Sequence, residues 1–217
     1  MVFLIGCDHC KAQTYAEDTG LDDPQNKTQR EFREVLIKAI KYYDPDLIAE
    51  ESHSDLLKEA KRRSVALEVA SESRICHIFC EPSYSEKLKL GIGYDLPILG
   101  NNIFDEWGLK ITTTKAAHQH DIGHRWPIRE EFWIKQLERN VHKKVLFICG
   151  AAHRWTLRRR LESTGIEVII VRNAKRFGAA RMENSHFDAY KDVRRNGFDP
   201  ETGCFCIKFP PQIPLNF

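Results

Sequence analysis

The sequence has no apolar run long enough to cross a membrane and no large excess of charge of either sign. Its apolar stretches are far shorter than the roughly 20 residues of a spanning helix, and the run at the N-terminus is too short for the core of a signal peptide. The 33 Lys and Arg residues against 31 Asp and Glu leave a formal net charge of +2, which gives no electrostatic footprint for nucleic acid. We therefore expect a cytoplasmic protein that binds neither membranes nor nucleic acid.

A disulfide framework is not expected either. The seven cysteines are an odd number, and several lie inside apolar, strand-like runs, which is typical of thiols in a reducing compartment. No repeat of solenoid length and no long linker divides the 217 residues. We expect one α/β domain over residues 1–180, with residues 181–217 as a C-terminal extension packed on it. The oligomeric state stays open.

Short apolar strands alternate with amphipathic helices along most of the chain. Strands are predicted at 2–5, 46–49, 75–80, 144–149 and 167–171, and helices at 28–43, 54–71, 127–140 and from 150 to 163. This alternation predicts a three-layer α/β fold, in which a mostly parallel sheet has helices on both faces. Glycine and proline interrupt the pattern over residues 81–126, where we expect an irregular insertion or lid.

Two Gly-x-x-His motifs each follow directly on a predicted strand. Gly6 to His9 follows the first strand, and Gly150 to His153 follows the fourth, while the second strand ends in Glu50 and Glu51. In the common strand order 3-2-1-4-5 these three strands are neighbours, and their carboxyl ends meet where such sheets bind ligands. The sequence therefore predicts one site that contains two imidazoles and a carboxylate.

That set of side chains is suited to a divalent metal such as Mn, Co or Zn, with positions left open for water and substrate. We expect His9, Glu50 and His153 to be the ligands, and Glu50 is preferred to Glu51 because it directly follows the apolar run. Glu51 is then the candidate general base. Arg129 is the candidate for positioning substrate, since a guanidinium group binds carboxylate or phosphate bidentately.

A second histidine cluster lies just ahead of the helix predicted at 127. His118, His120 and His124 form the pattern His-x-His-x-x-x-His. They are candidates for a lid histidine or a second metal site. The alternative is a solvated polar loop, because no predicted helix or strand fixes the spacing of these side chains.

The motifs resemble those of the TraB/TIKI-like superfamily, which has a first Gly-x-x-His, an acidic residue after the second strand and a second Gly-x-x-His. The matching residues here are Gly6 to His9, Glu50 and Gly150 to His153, and the segment from Arg129 to Trp133 resembles the helix before the second motif. The resemblance covers residues 1–172. It implies a metal-dependent peptidase in the TIKI branch, an erythromycin-esterase-like hydrolase with a His/Glu site in another, and haem-linked iron uptake in a ChaN-like branch.

The function expected from the sequence is metal-dependent hydrolysis of an amide or ester bond in a small-molecule or peptide substrate. One alternative is a metal-free hydrolase in which His9 is the general base and a carboxylate orients it. Another is a protein that binds haem, a metal or a small ligand in the same crevice without catalysis. A dinucleotide is disfavoured, because the motifs lack the glycine-rich loop that binds phosphates in such sites.

Overall fold

Five parallel strands form the central sheet of the computed structural model, which describes residues 1–7, 12–92, 98–99, 102–104, 110–111, 121–171, 198–199 and 204–205. The strands of this sheet are, in chain order, β1 (Val2–Cys7), β2 (Leu47–Glu50), β3 (Cys76–Phe79), β4 (Val145–Gly150) and β5 (Val168–Ile170). Their order across the sheet is β5-β1-β4-β2-β3, and every neighbouring pair is parallel.

Helices cover both faces of this sheet. The α-helices of the described ranges are α1 (Lys27–Tyr43), α2 (Ser54–Glu59), α3 (Val65–Ser73), α4 (Tyr84–Lys89), α5 (Trp126–Glu138) and α6 (Arg154–Ser163). Side chains of α1 and α3, among them Phe32 and Val69, pack on one face. Side chains of α5 and α6, among them Trp133 and Leu157, pack on the other. The predicted three-layer α/β architecture is confirmed.

The order of the strands differs from the expected 3-2-1-4-5, because β4 rather than β1 lies at the centre. Strands β1, β4 and β2 are still neighbours, so their carboxyl ends do meet at one edge. After β2 the chain continues toward α3 on one face, and after β4 it enters α6 on the other. The chain therefore departs in opposite directions after the neighbouring strands β2 and β4, and open α/β sheets form ligand crevices where this happens.

The helix predicted over 54–71 is two helices with a strand between them. Lys61 has a φ of 49°, in the left-handed region, and it ends the helical path of α2. Arg62–Ser64 then pairs antiparallel with Thr14–Ala16. The Ser64 side chain accepts a hydrogen bond from the Leu67 N–H, which starts α3. One left-handed residue breaks the helix without disturbing the apolar periodicity, so the pattern misses the break.

The region 81–126 contains more regular structure than its glycines and prolines suggest. Helix α4 begins with a capping box between Ser83 and Glu86, and a small antiparallel sheet contains Ile98–Leu99, Asn102–Phe104 and Lys110–Ile111. Of the C-terminal extension, the structure describes one antiparallel pair, Phe198–Asp199 with Cys204–Phe205. In the described ranges, no helix has both the length and the apolar character needed to cross a membrane.

Candidate functional site

Glu50 and Glu51 lie on opposite sides of the sheet at the end of β2. Strand alternation puts Glu50 on the same side as Ile48, which faces α1 and α3, and Glu51 on the same side as Ala49, which faces α5 and α6. The hydrogen-bond ladder between β2 and β4 extends to Glu51, whose N–H donates to the Ile148 carbonyl at 2.8 Å. Both carboxylates are buried, with 0% and 5% of the residue exposed. The paired acids thus supply one carboxylate to each side.

Glu50 is held by polar side chains on the α1/α3 side. Its Oε2 accepts a hydrogen bond from Gln13 Nε2 at 2.9 Å, and its Oε1 accepts one from Ser64 Oγ at 2.6 Å. His77 Nε2 lies 2.9 Å from the same Oε1. The structure therefore does not bring Glu50 beside His153, and the preference for Glu50 as a ligand over Glu51 finds no support in these positions.

His153 is fixed in a buried position at the start of α6. It ends the short 3-10 helix Ala151–His153 and is only 3% exposed. Its Nδ1 lies 2.8 Å from Oε1 of Glu130, a carboxylate that also accepts a hydrogen bond from Thr156 Oγ1 at 2.6 Å. The imidazole ring packs against Trp126 and Trp133, at centroid distances of 4.2 and 4.9 Å. Hydrogen bonding and packing together set the orientation of this ring.

The other ring nitrogen of His153 is directed at Glu51. The distance from Nε2 to Glu51 Oε1 is 3.7 Å, which is too long for a direct hydrogen bond. Oε2 of Glu51 accepts a hydrogen bond from the Gly150 N–H at 2.6 Å, and Oε1 is paired with Arg129 Nη2. Glu51, His153 and Glu130 thus form a buried row in which the imidazole lies between two carboxylates.

Arg129 connects this row to a third buried carboxylate, Glu81. Its Nε lies 2.9 Å and its Nη2 3.0 Å from the Glu81 oxygens. Glu81 also accepts a hydrogen bond from Trp133 Nε1 at 3.0 Å, and Lys87 Nζ lies 2.6 Å from its Oε1. Burial raises the pKa of Glu81, but Arg129 and Lys87 outweigh that effect and hold it below its usual value. Burial lowers the pKa of Arg129, and its carboxylate partners reverse the shift, so it stays charged.

Sequence reasoning missed both Glu81 and Glu130. Glu81 follows the apolar run of the third strand much as Glu51 follows that of the second, so a comparison of the strand ends could have identified it. Glu130 lies in the segment that resembles the superfamily's helix, but nothing singles it out there, because an acidic residue in the first turns of a helix is common at solvent-exposed positions. Only the packing of α5 against α6 identifies it as the partner of His153.

The two motifs lie so close together that the first residue of the first motif, Gly6, has no room for a side chain. A Cβ at this position would lie 2.9 Å from the Ala151 Cα and 3.4 Å from the Arg154 Cδ. Backbone atoms cannot move away as a flexible side chain can, so the glycine lets the second motif pack directly on β1. Gly6 pairs with Cys149 in the β1–β4 ladder, which places the two strand ends side by side.

An open cleft of about 270 Å³ gives access to Glu51 and Arg129. The described residues that line it are Gln13, Thr14, Glu51, Ser52, Leu56, Arg62, Glu81, Lys87 and Arg129. The row that contains His153 therefore adjoins the cleft through Glu51. Buried thiols nearby are unsuited to ionise: burial, reinforced by neighbouring carboxylates, raises the pKa of both Cys80 and Cys149.

Three of the predicted site residues, His9, His118 and His120, lie outside the described residues. His124 is described and half-buried in the π-helical turn Asp121–Arg125. In the part of the chain that the structure describes, no group of three or more His, Cys, Asp or Glu side chains is arranged to hold a metal ion. The metal site expected from His9, Glu50 and His153 is thus not assembled from the described residues alone.

Comparisons with protein-family models, with curated proteins and with solved structures gave no match to this chain. The resemblance to the TraB/TIKI-like superfamily therefore stays a prediction from the motifs. The function is argued from the geometry of the site.

Proposed function

We propose that the protein is a hydrolase of amide or ester bonds, with its reaction centre at the carboxyl ends of β2 and β4. The observation that carries the proposal is the position of His153 between two buried carboxylates, 2.8 Å from Glu130 on one side and 3.7 Å from Glu51 on the other. An imidazole oriented by one carboxylate and facing a second group at a ligand crevice is suited to proton transfer or metal binding.

Glu130 orients the ring of His153. A carboxylate accepts hydrogen bonds, so Nδ1 is the nitrogen that donates to Glu130, and Nε2 is the nitrogen on the side of Glu51. Glu51 is itself oriented by the Gly150 N–H and Arg129, which leaves its Oε1 on the side of the imidazole. Because the carboxylates are held before substrate arrives, little reorganisation is needed at the moment of reaction.

The leading version of the proposal is metal-dependent. Two metal–ligand bonds of about 2.0 to 2.2 Å span a gap such as the one between His153 Nε2 and Glu51 Oε1, and a carboxylate on the far nitrogen is the usual support for a metal-bound histidine. His9 is the proposed third ligand, since it follows the end of β1 by two residues. A bound Mn, Co or Zn ion would supply a water of lowered pKa and polarise the scissile carbonyl.

A metal-free version is favoured by one specific observation, which is that Arg129 and the Gly150 N–H already occupy the carboxylate of Glu51 from within the described residues. In this version His153 Nε2 takes a proton from the attacking water and returns it to the leaving group. Glu130 then stabilises the charged imidazole through Nδ1. Arg129 positions the substrate in both versions, because it lines the cleft beside Glu51.

Hydrolysis of nitrophenyl esters and nitroanilides by the purified protein tests the proposal. We expect turnover that is lost on chelation and restored by Mn, Co or Zn in the metal-dependent version, and turnover that resists chelation in the metal-free version. Elemental analysis of the protein before chelation identifies the ion. If the protein hydrolyses no probe with any of these ions, the proposal is wrong, and binding without catalysis becomes the better account of the crevice.

A further inference from the structure

Glu81 is fixed one strand away from Glu51, at the same edge of the sheet. It follows the end of β3 by two residues, and its side chain is only 4% exposed. Two backbone hydrogen bonds hold this part of the chain beside the end of β2. The Cys80 N–H donates to the Glu50 carbonyl at 2.8 Å, and the next N–H, that of Glu81, donates to the Ser52 carbonyl at 3.2 Å. The backbone therefore sets the position of the Glu81 carboxylate.

Helix α5 supplies two hydrogen-bond donors to this carboxylate. Arg129 and Trp133 are four residues apart, so their side chains lie on the same face of the helix. Arg129 donates through Nε to Oε1 at 2.9 Å and through Nη2 to Oε2 at 3.0 Å. Two such parallel bonds fix the plane of a guanidinium group as well as its distance. Trp133 Nε1 donates to Oε2 at 3.0 Å, which holds the carboxylate from the same helix.

The guanidinium group of Arg129 also reaches the reaction centre. Its Nη2 pairs with Oε1 of Glu51, the oxygen that lies 3.7 Å from His153 Nε2. Its Nη1 donates to none of the residues that the structure describes and is not enclosed by them, and Arg129 lines the cleft. An unrestrained arginine side chain samples many rotamers. A contact that selects one rotamer therefore determines how often both Nη atoms are in place.

We propose that Glu81 is a positioning residue, which holds Arg129 in the orientation from which Nη2 orients Glu51 and Nη1 binds the substrate. The inference rests on the proposed function, because it assigns a role in the same reaction. A positioning residue acts through the group that it holds. The loss of Glu81 should therefore have little further effect on the rate once the guanidinium group of Arg129 is gone.

A double-mutant cycle on the full-length protein tests this inference. The quantity measured is kcat/KM for a nitrophenyl ester or nitroanilide, in the original protein, Glu81→Gln, Arg129→Gln and the variant with both changes. We expect Glu81→Gln to lower kcat/KM about 10- to 100-fold, the usual effect of misplacing a group that touches the substrate. The double variant should be about as slow as Arg129→Gln. Losses that multiply in the double variant overturn the inference, because Glu81 would then act independently of Arg129.

The matched control is Glu72→Gln, which removes another carboxylate that is paired with an arginine. Glu72 lies on α3, at the opposite face of the sheet, where it pairs with Arg33, and its side chain is 54% exposed. This variant should hydrolyse the probe as fast as the original protein does. Equal kcat/KM in Glu81→Gln and Glu72→Gln overturns the inference. A thermal melt of each variant shows that a loss of rate is not a loss of folding.

NMR of the original protein tests the same contact without any change at Glu81. The Nε–H signal of Arg129, identified by its absence in Arg129→Lys, should exchange slowly with water, because this group donates to a buried carboxylate. The Nε–H of Arg158, which pairs with Glu162 on the surface, is the comparison and should exchange faster. If the two signals exchange equally fast, Glu81 does not hold Arg129, and the inference is overturned.

This inference and the proposed function fail in different ways. Hydrolysis at equal rates by the original protein and Glu81→Gln keeps the hydrolase and overturns the positioning role. A slowly exchanging Arg129 signal in a protein that hydrolyses no probe keeps the held orientation of Arg129 and overturns the hydrolase.

Discussion

At the scale of single residues, the orientation of the His153 ring depends on Glu130. The carboxylate lies 2.8 Å from Nδ1 and is itself held by Thr156. Glu130→Gln keeps the size of the side chain but removes the charge. We expect hydrolysis to fall about 10- to 100-fold, the usual cost of losing the carboxylate that supports a reactive histidine. The NMR signals of the His153 ring should also change, because a Gln amide can donate to Nδ1 as well as accept from it.

Glu131→Gln is the control for that substitution. Glu131 is the next residue of α5, and its side chain is 51% exposed and paired with Arg160. This change should leave both the rate and the His153 signals as they are. Equal rates in the two variants would show that Glu130 does not act through His153.

Glu81 should make the stability of the protein depend on pH. The pKa of Glu81 in the folded protein is held below its usual value. Its contribution to the free energy of unfolding is therefore complete above the usual pKa of about 4.3, and it is lost as the pH falls through the folded-state pKa. At neutral pH, Glu81→Gln should lower the free energy of unfolding by about 3 kcal/mol, because Arg129 and Lys87 lose a buried partner. Below pH 4 the difference in free energy of unfolding between Glu81→Gln and the original protein should become smaller.

Urea denaturation at a series of pH values measures this gap. Glu59→Gln is the control, because Glu59 is exposed at the end of α2 and forms no ion pair with the residues that the structure describes. A gap between Glu81→Gln and the original protein that stays constant from pH 7 to pH 3 would contradict the ionised state assigned to Glu81.

At the scale of secondary-structure elements, the sequence predicts most of the architecture but not its order. Apolar runs and helical periodicity report which residues are buried, and they locate every strand of the central sheet. They do not report which strand lies next to which, so β4 replaces β1 at the centre. The break in the helix at Lys61 is not predicted for a similar reason, since a left-handed residue leaves the apolar pattern unchanged.

The same limit applies to the site. Strand ends identify Glu50, Glu51 and His153 as candidates, but alternation alone does not say which of two adjacent carboxylates faces the helix that carries the histidine. The structure supplies that information through the two faces of the sheet: Glu51 lies beside His153, and Glu50 bonds to Gln13, Ser64 and His77.

The contact between β1 and the 3-10 helix of the second motif gives a prediction at this scale. In Gly6→Ala the new Cβ would lie 2.9 Å from the Ala151 Cα, so one of the two elements must shift. We expect a loss of about 1 to 3 kcal/mol in the free energy of unfolding, typical of overpacking in a core. The shift should also lower the rate of hydrolysis, because Ala151 is two residues from His153.

Gly20→Ala provides the comparison for this substitution. A Cβ at Gly20 would meet its nearest atom at 3.9 Å, so the change should alter stability by less than about 1 kcal/mol. Denaturant titration of both variants measures the difference. If Gly6→Ala and Gly20→Ala lower the free energy of unfolding by the same small amount, the two motifs are not packed as tightly as the structure describes.

At the scale of the whole molecule, the two faces of the sheet have different roles. The face covered by α5 and α6 contains the row of Glu51, His153 and Glu130 together with Arg129. The opposite face contains the network around Glu50, which fixes the end of β2 from the other side. Both sets lie at the end of β2, and the central position of β4 places His153 beside that end.

The most direct test of the account is the rate of hydrolysis by His153→Ala, measured beside His142→Ala. His142 is exposed in the turn after α5, so its replacement should leave the rate unchanged. With a nitrophenyl ester or nitroanilide that the original protein hydrolyses, His153→Ala should be slower by about 10² to 10⁴-fold, as expected when a positioned proton-transfer group is removed. Equal rates in the two folded variants would contradict the assignment of His153 to the reaction centre.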